Sequence, residues 1–140
     1  MINSQQTISR PILLKIAPDL TPGQLDDVAD LAREIKLDGL VVSNTTIVRD
    51  KLLTASKELE RIGAGGLSGK PLFIPSTEVL TYISSKSAGA LPLIASGGIF
   101  HGADAMGKIN AGAALLQVWT GFIYEGPGIV RKLCSAISGK

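Results

Sequence analysis

Most residues that mark a specialised class of protein are scarce in this chain. There is one cysteine, Cys134, so no internal disulfide can form, and such sparing use fits a reducing compartment. There is one histidine, His101, which leaves no second imidazole for a histidine-based metal site. An excess of one charge is nearly absent too: 14 basic and 12 acidic side chains are interspersed and sum to +2. Without a cluster of Lys and Arg there is no footprint for nucleic acid. No apolar run approaches the ~18 residues that span a bilayer. The opening MINSQQTISR also lacks the apolar centre of a signal peptide. The composition predicts a soluble piece of chain.

What is plentiful is glycine and aliphatic side chain: 16 Gly, 7 Pro and 45% hydrophobic residues among 140, with only 4% aromatic. This suits one globular domain, which at such a length buries about two-thirds of its unfolded-chain surface. PILLKIAP (11–18) is a nearly continuous apolar run between prolines and predicts a strand buried on both faces. Thr21 and Gln24 have the spacing of a capping box, with Pro22 at the first helical position. Asp26 and Asp27 are placed in the first turn, where the helix dipole favours them. Leu25, Val28, Ala29, Ala32 and Ile35 form an apolar face, and Asp38-Gly39 ends the helix.

LVVSNTT (40–46) predicts a second strand. The connection over 47–75 is long, charged at first and then glycine-rich, which in a compact domain marks function or mobility. A helix over 76–87 follows, with Val79, Leu80 and Ile83 as its inner face. PLIASGG (92–98) is a third strand, ADAMGKINAG a short helix ending at Gly112, and ALLQVWT (114–120) a fourth strand. The last helix starts near Pro127 and buries Val130, Leu133, Cys134 and Ile137. Four strands alternating with four helices predict an α/β fold with a parallel sheet, most simply four consecutive βα units.

In such folds the ligand sits beyond the carboxyl ends of the strands. The third strand ends in Gly97-Gly98 and the fourth in Trp119-Thr120-Gly121. Glycine there lets backbone N–H groups approach a phosphate with no Cβ in the way. Equally, it shapes a tight strand-to-helix turn, and a Gly-Gly pair does not separate the two readings. Lys15 lies within an apolar run, where an unpaired ammonium is costly to bury. It therefore snorkels to the rim or meets an anionic or hydrogen-bonding partner. Ser43-Asn44-Thr45-Thr46 closes the second strand with four polar side chains, able to serve a planar polar ligand or to cap a turn.

KIAPDLT, GLVVSNTT, GGLSGKPL, IASGG and AGAALLQVWT, in this order over 10–138, resemble the C-terminal half of a class 2 dihydroorotate dehydrogenase. That family is FMN-dependent and quinone-reducing, and belongs to pyrimidine biosynthesis. The resemblance implies one domain over 1–140, the C-terminal four βα units of a (β/α)8 TIM barrel, which oxidises dihydroorotate to orotate. It implies that Lys15 contacts the flavin near its N1–C2=O edge, and that Ser43, Ser68 and Gly69 line the flavin site. Gly97, Gly98, Trp119 and Thr120 would hold the FMN phosphate, and Asn44 and Thr45 the pyrimidine ring of the substrate.

The resemblance also places the catalytic base, a serine, ahead of residue 1, together with the helices that meet the quinone and the membrane. It implies a mitochondrial inner-membrane location, and the SNTTI and AGGLSGKPLF wording is closer to eukaryotic forms. Two departures stand out: Trp119 where tyrosine is usual, and IVRD after NTT where the family often has Ser-Arg-Pro, so the lid loop differs in detail.

Two other readings share part of this pattern. Another FMN- or phosphate-dependent barrel oxidoreductase or isomerase would have the glycine loops without the SNTT and GGLSGKPL pairing. A noncatalytic truncated product would keep at most a phosphate site. Four strands are half of a barrel that takes roughly 200 or more residues. Open edges and an uncovered apolar face invite pairing, and turnover by the chain alone is not expected. Elsewhere, His101 reads as a solvated loop residue, Cys134 as core, and KELER (57–61) as a solvated face.

Overall fold

The computed structural model describes residues 10–50 and 52–139; the opening segment read above for a signal peptide lies, through residue 9, outside the described residues. Four short strands, β1 (Leu13–Ile16), β2 (Gly39–Val42), β3 (Leu93–Ser96) and β4 (Leu115–Gln117), form one sheet. Its order is β1-β2-β3-β4 and each neighbouring pair is parallel. The connections carry α1 (Pro22–Glu34), α2 (Ser56–Ile62), α3 (Phe73–Lys86), α4 (Gly102–Asn110), α5 (Thr120–Glu125) and α6 (Gly128–Ser138). A 3₁₀ turn, Lys70–Leu72, leads into α3.

Sequential parallel order with crossovers of one hand puts the crossing helices on one face of the sheet. Accordingly α1 packs on α3, α3 on α4 and α4 on α6. This is the predicted α/β series of βα units. Its unreversed order is that of a barrel arc, whereas a doubly wound sheet reverses direction. Ile16, Leu40, Val42, Leu93 and Ala95 face the helices and meet Leu25, Ala29, Leu80 and Ile83 in the main core. A smaller cluster of Ile99, Ala105, Ile129 and Leu133 sits among α4, α6 and the β3 exit. The alternate residues Lys15, Val41, Ile94 and Leu115 form a cross-strand row on the opposite face.

That opposite face is concave. Three strand spacings laid flat would set β1 and β4 about 14 Å apart, with side chains standing off the sheet. Yet Lys15 Nζ donates to Gln117 Oε1 at 3.0 Å, from one edge strand to the other. The sheet curls enough for long side chains of its two edge strands to meet.

Several local expectations are corrected. The capping box forms, with Gln24 N donating to Thr21 Oγ1 at 3.3 Å and Thr21 N to Gln24 Oε1 at 2.9 Å. Asp26 and Asp27, however, lie beyond the first turn, because Pro22 begins the helix. Asp26 accepts from Tyr82 Oη at 2.9 Å and pairs with Lys86 at 3.0 Å, tying α1 to α3. The Lys86 bond, helped by Tyr82, holds its carboxyl below the usual range. The helix ends at Glu34, capped by Ile35 and followed by Lys36 at φ 53°, ahead of Asp38-Gly39. Asp38 instead accepts from Ile12 N at 2.7 Å, holding the entry to β1.

β1 is not buried on both faces: Leu13 and Leu14 are 42% and 45% exposed because β1 is an edge strand of this sheet. In α6 the buried residues are Ile129 and Leu133, while Val130, Cys134 and Ile137 face outward. The stripe 129/133/136 wins because Ala136 seats on Gly102, where an added Cβ would lie 2.6 Å from the Ala136 Cβ. Cys134 is therefore exposed, not core. Two helices went unpredicted, α2 and α5. The exposed α2 carries a Glu58–Arg61 pair at 2.5 Å, so the KELER stretch is the solvated face expected.

Candidate functional site

The four strand ends open into one pocket of about 270 Å³. Its walls include all ten residues singled out from the sequence: Lys15, Ser43, Asn44, Thr45, Ser68, Gly69, Gly97, Gly98, Trp119 and Thr120. Lys15 is the one charged side chain among the described lining residues, so the pocket is biased toward an anion. A cleft of about 420 Å³ adjoins it, sharing Ser68, Gly69, Phe100 and Thr120 and adding Lys70, Tyr124 and Glu125.

Each strand end is fixed by its own backbone. Ser43 N donates to Ser96 O at 2.9 Å and Asn44 N to Ile16 O at 2.8 Å, carrying the sheet register past β2. The Asn44 Oδ1 accepts from Thr45 N at 2.9 Å, which leaves its amide N–H groups as donors for a ligand. Ser43 is buried and donates to Asn44 O at 3.0 Å. Thr46 departs from the group expected above. It is buried, donates to Asp19, and accepts from Val48 N at 3.0 Å. Asp19 also accepts from Ile47 N at 3.1 Å. Thr46 thus anchors the base of the long connection, where it pairs with Leu67.

The long connection folds back so that Ser68 reaches the pocket, with Thr120 Oγ1 donating to Ser68 Oγ at 3.2 Å. Arg49 staples its interior by donating to Gly65 O at 2.8 Å. The Lys15 expectation resolves toward a hydrogen-bonding partner, Gln117, on an exposed side chain.

The double glycine has a structural cause first. Gly98 has φ 76°, and a Cβ there would stand 2.4 Å from the Phe73 N and Cα. The turn is pressed against the start of α3, so the tight-turn reading holds whether or not a phosphate binds. Gly121 is equally constrained: a Cβ would meet Ile99 O at 2.2 Å, so the loops after β3 and β4 touch.

Sequence reasoning missed Gln117, Ser96 and Phe100 in the pocket wall. Gln117 was legible: it is the one polar residue inside the apolar run ALLQVW, three positions from the end of the stretch read as a strand. Also missed was Lys108, fully buried behind the Gly97-Gly98 turn, whose burial pushes its ammonium down to about 8, with Asp104 opposing. His101 is exposed and precedes α4, where Asp104 accepts from Phe100 N at 2.9 Å and His101 N at 2.8 Å. Among the described residues no group of His, Cys, Asp or Glu could hold a metal ion.

A parallel βα arc with an anion-biased pocket at its carboxyl ends defines an α/β barrel-type binding protein. The sequence model of the dihydroorotate dehydrogenase family matches residues 1–140, and the chain belongs to that family. It is 47% identical over 138 residues to the dihydroorotate dehydrogenase (quinone) of Christiangramia forsetii, covering 99% of this chain and 39% of the relative. The protein of the same name from Trichodesmium erythraeum is 46% identical, with 94% and 36% covered. A crystal structure of the Eimeria tenella dihydroorotate dehydrogenase with ferulenol superimposes with a TM-score of 0.85 at 41% identity, covering 95% of this chain and 35% of that one. The chain thus spans little more than a third of the curated relatives it matches.

The expected mitochondrial inner-membrane location is corrected. The curated relatives from Christiangramia forsetii, Trichodesmium erythraeum, Gloeobacter violaceus and Myxococcus xanthus are all bacterial and without mitochondria. Among the described residues no helix is long and apolar enough to cross a membrane.

Proposed function

We propose that residues 1–140 form the C-terminal four βα units of a barrel that oxidises dihydroorotate to orotate, with FMN as cofactor and a quinone as acceptor. One observation carries this reading: ten residues drawn from four strand ends and a 29-residue connection share one pocket, and among the described residues its lone lining charge is the Lys15 cation. The wall suits FMN. Backbone at Gly97, Gly98, Trp119 and Thr120 would hold the phosphate, and Lys15, Ser43, Ser68 and Gly69 the ring.

When bound, FMN supplies the two-electron chemistry between dihydroorotate and quinone. The chain's own residues bind and orient. Lys15 places positive charge where negative charge gathers on the reduced ring, an electrostatic task for a fixed cation. Asn44 offers amide donors, and Thr45 a hydroxyl, to the carbonyls and ring nitrogens of the pyrimidine. The base that takes the substrate proton is a serine supplied from outside these residues, as is the surface that meets the quinone.

The test is an absorbance titration of the chain with FMN, with Lys15→Ala alongside. Binding with a shifted flavin spectrum is expected, weakened at least about tenfold in the variant by loss of a charge-assisted contact. No binding, or equal binding by the variant, refutes the reading.

A further inference from the structure

Lys108 is the largest fully buried side chain of the described residues. The flavin reading does not use it. Its ammonium donates to Ser76 Oγ at 2.6 Å and to Phe73 O at 3.3 Å, and it stands 5.1 Å from the Phe73 ring centre. None of these partners is a carboxylate. Asp104 acts on the ammonium only through space and does not offset its burial, so an ammonium held by neutral partners here is unfavourable. Methionine would fill the same space without that cost, so packing alone does not account for a lysine.

Ser76 is equally buried, and its hydroxyl joins α3 to the glycine turn. Its single proton is shared among three carbonyls, Leu72 at 2.5 Å, Gly97 at 3.3 Å and Phe73 at 3.4 Å, and Gly97 is the one of them outside the α3 segment. An ammonium has donors and no acceptor. Lys108 therefore makes Ser76 an acceptor on one side and a donor toward those carbonyls on the other. The contact is close: a Cβ added at Gly97 would stand 3.0 Å from Ser76 Oγ.

In a planar trans peptide the carbonyl and the following N–H point in opposite directions. A Gly97 carbonyl held toward Ser76 turns the Gly98 N–H away from α3. We infer that Lys108 is a positioning residue: through Ser76 it sets the Gly97–Gly98 peptide so that the Gly98 N–H is presented to a phosphoryl group in the pocket. This rests on the reading that the FMN phosphate lies at this turn, and it adds the device that orients the donor.

The test uses Lys108→Met and Ser76→Ala, singly and combined, each titrated with FMN and with riboflavin, which lacks the phosphate. Each single variant is expected to raise the Kd for FMN about tenfold. The double variant should lose little more, because both act through one path, and riboflavin affinity should stay unchanged. Equal losses on both ligands, or additive losses on FMN, would overturn the inference, leaving the pair as general supports of the fold. Amide hydrogen exchange at Gly98, read without ligand, separates the two layers. If the unaltered chain binds neither flavin, the cofactor reading falls. The positioning device then stands on slower Gly98 exchange in Lys108→Met, as the N–H is freed to turn back toward α3, with α6 unchanged, and an unchanged Gly98 sinks it.

Discussion

Replacing Lys108 by methionine should stabilise the chain at neutral pH and destabilise it at alkaline pH. In the fold, burial lowers the Lys108 pKa from 10.5 to about 8. At 1.36 kcal/mol per pH unit, that interval costs about 3 kcal/mol wherever the lysine must fold charged. The sign follows from proton counts. Between about 8 and 10.5 the unfolded lysine holds a proton that the folded one does not, so wild-type stability rises with pH across that window. Methionine removes this dependence. It also forfeits the hydrogen bond to Ser76, worth about 1 kcal/mol net. The Phe73 carbonyl keeps a donor in the Thr77 hydroxyl.

The variant should therefore be more stable by about 2 kcal/mol at pH 7 and less stable by about 1 kcal/mol above pH 10.5. Urea unfolding of both proteins across pH 7 to 10.5 measures the difference, in which the other titrating groups cancel. A pH-independent difference, or a variant clearly weaker at pH 7, would refute the argument. Gained stability together with weakened FMN binding would mark Lys108 as a residue whose presence serves the site at the expense of the fold.

Two other substitutions probe the backbone and the surface. Gly98→Ala sets a Cβ against the Phe73 backbone at a positive φ, with no flexible side chain to yield, and should cost at least about 2 kcal/mol in chemical denaturation; a loss under 0.5 kcal/mol would contradict the contact. Cys134 is exposed on α6, so it should react with a thiol reagent in the native state at near the rate of the unfolded chain, and Cys134→Ser should alter stability by no more than about 0.5 kcal/mol. A protected thiol would restore the core placement first read from the sequence.

The parts of this fold that were legible are those set by local chemistry. Apolar runs between turn residues located the four strands, Thr21 with Gln24 located the start of α1, and polar strand ends located the pocket. What escaped depended on neighbours. On α6 two apolar stripes, 129/133/136 and 130/134/137, have equally good helical spacing, and only the gap at Gly102 decides between them. Leu13 and Leu14 look like core in PILLKIAP, yet their burial depends on what lies beyond an edge strand. Thr46 belongs to the same polar run as Asn44 and Thr45, but a carboxylate 27 residues earlier draws it out of the site. A lysine among helical residues reads as solvated, and Lys108 is buried because Phe73 and Ser76 receive its ammonium. For Gly97-Gly98 the sequence left a tight turn and a phosphate contact open, and only the start of α3, which forbids a side chain at Gly98, makes the turn reading definite.

The bond that joins the two edge strands across the concave face has a consequence for selectivity. With no ligand engaged, the Lys15 ammonium is held by an amide oxygen of Gln117 and not by water alone. A guest that takes over the ammonium has to displace that amide, so it must present an acceptor of its own at the same spot. A ring of identical shape without that acceptor would leave Lys15 on Gln117, and it would gain only stacking and van der Waals contact. Under the binding role proposed for Lys15, Gln117 would compete with the guest for the ammonium, a threshold of at most about 1 kcal/mol for this exposed pair. The freed amide oxygen and its partner N–H groups then become available to the same guest, so that admission and recognition occur in one exchange of hydrogen bonds.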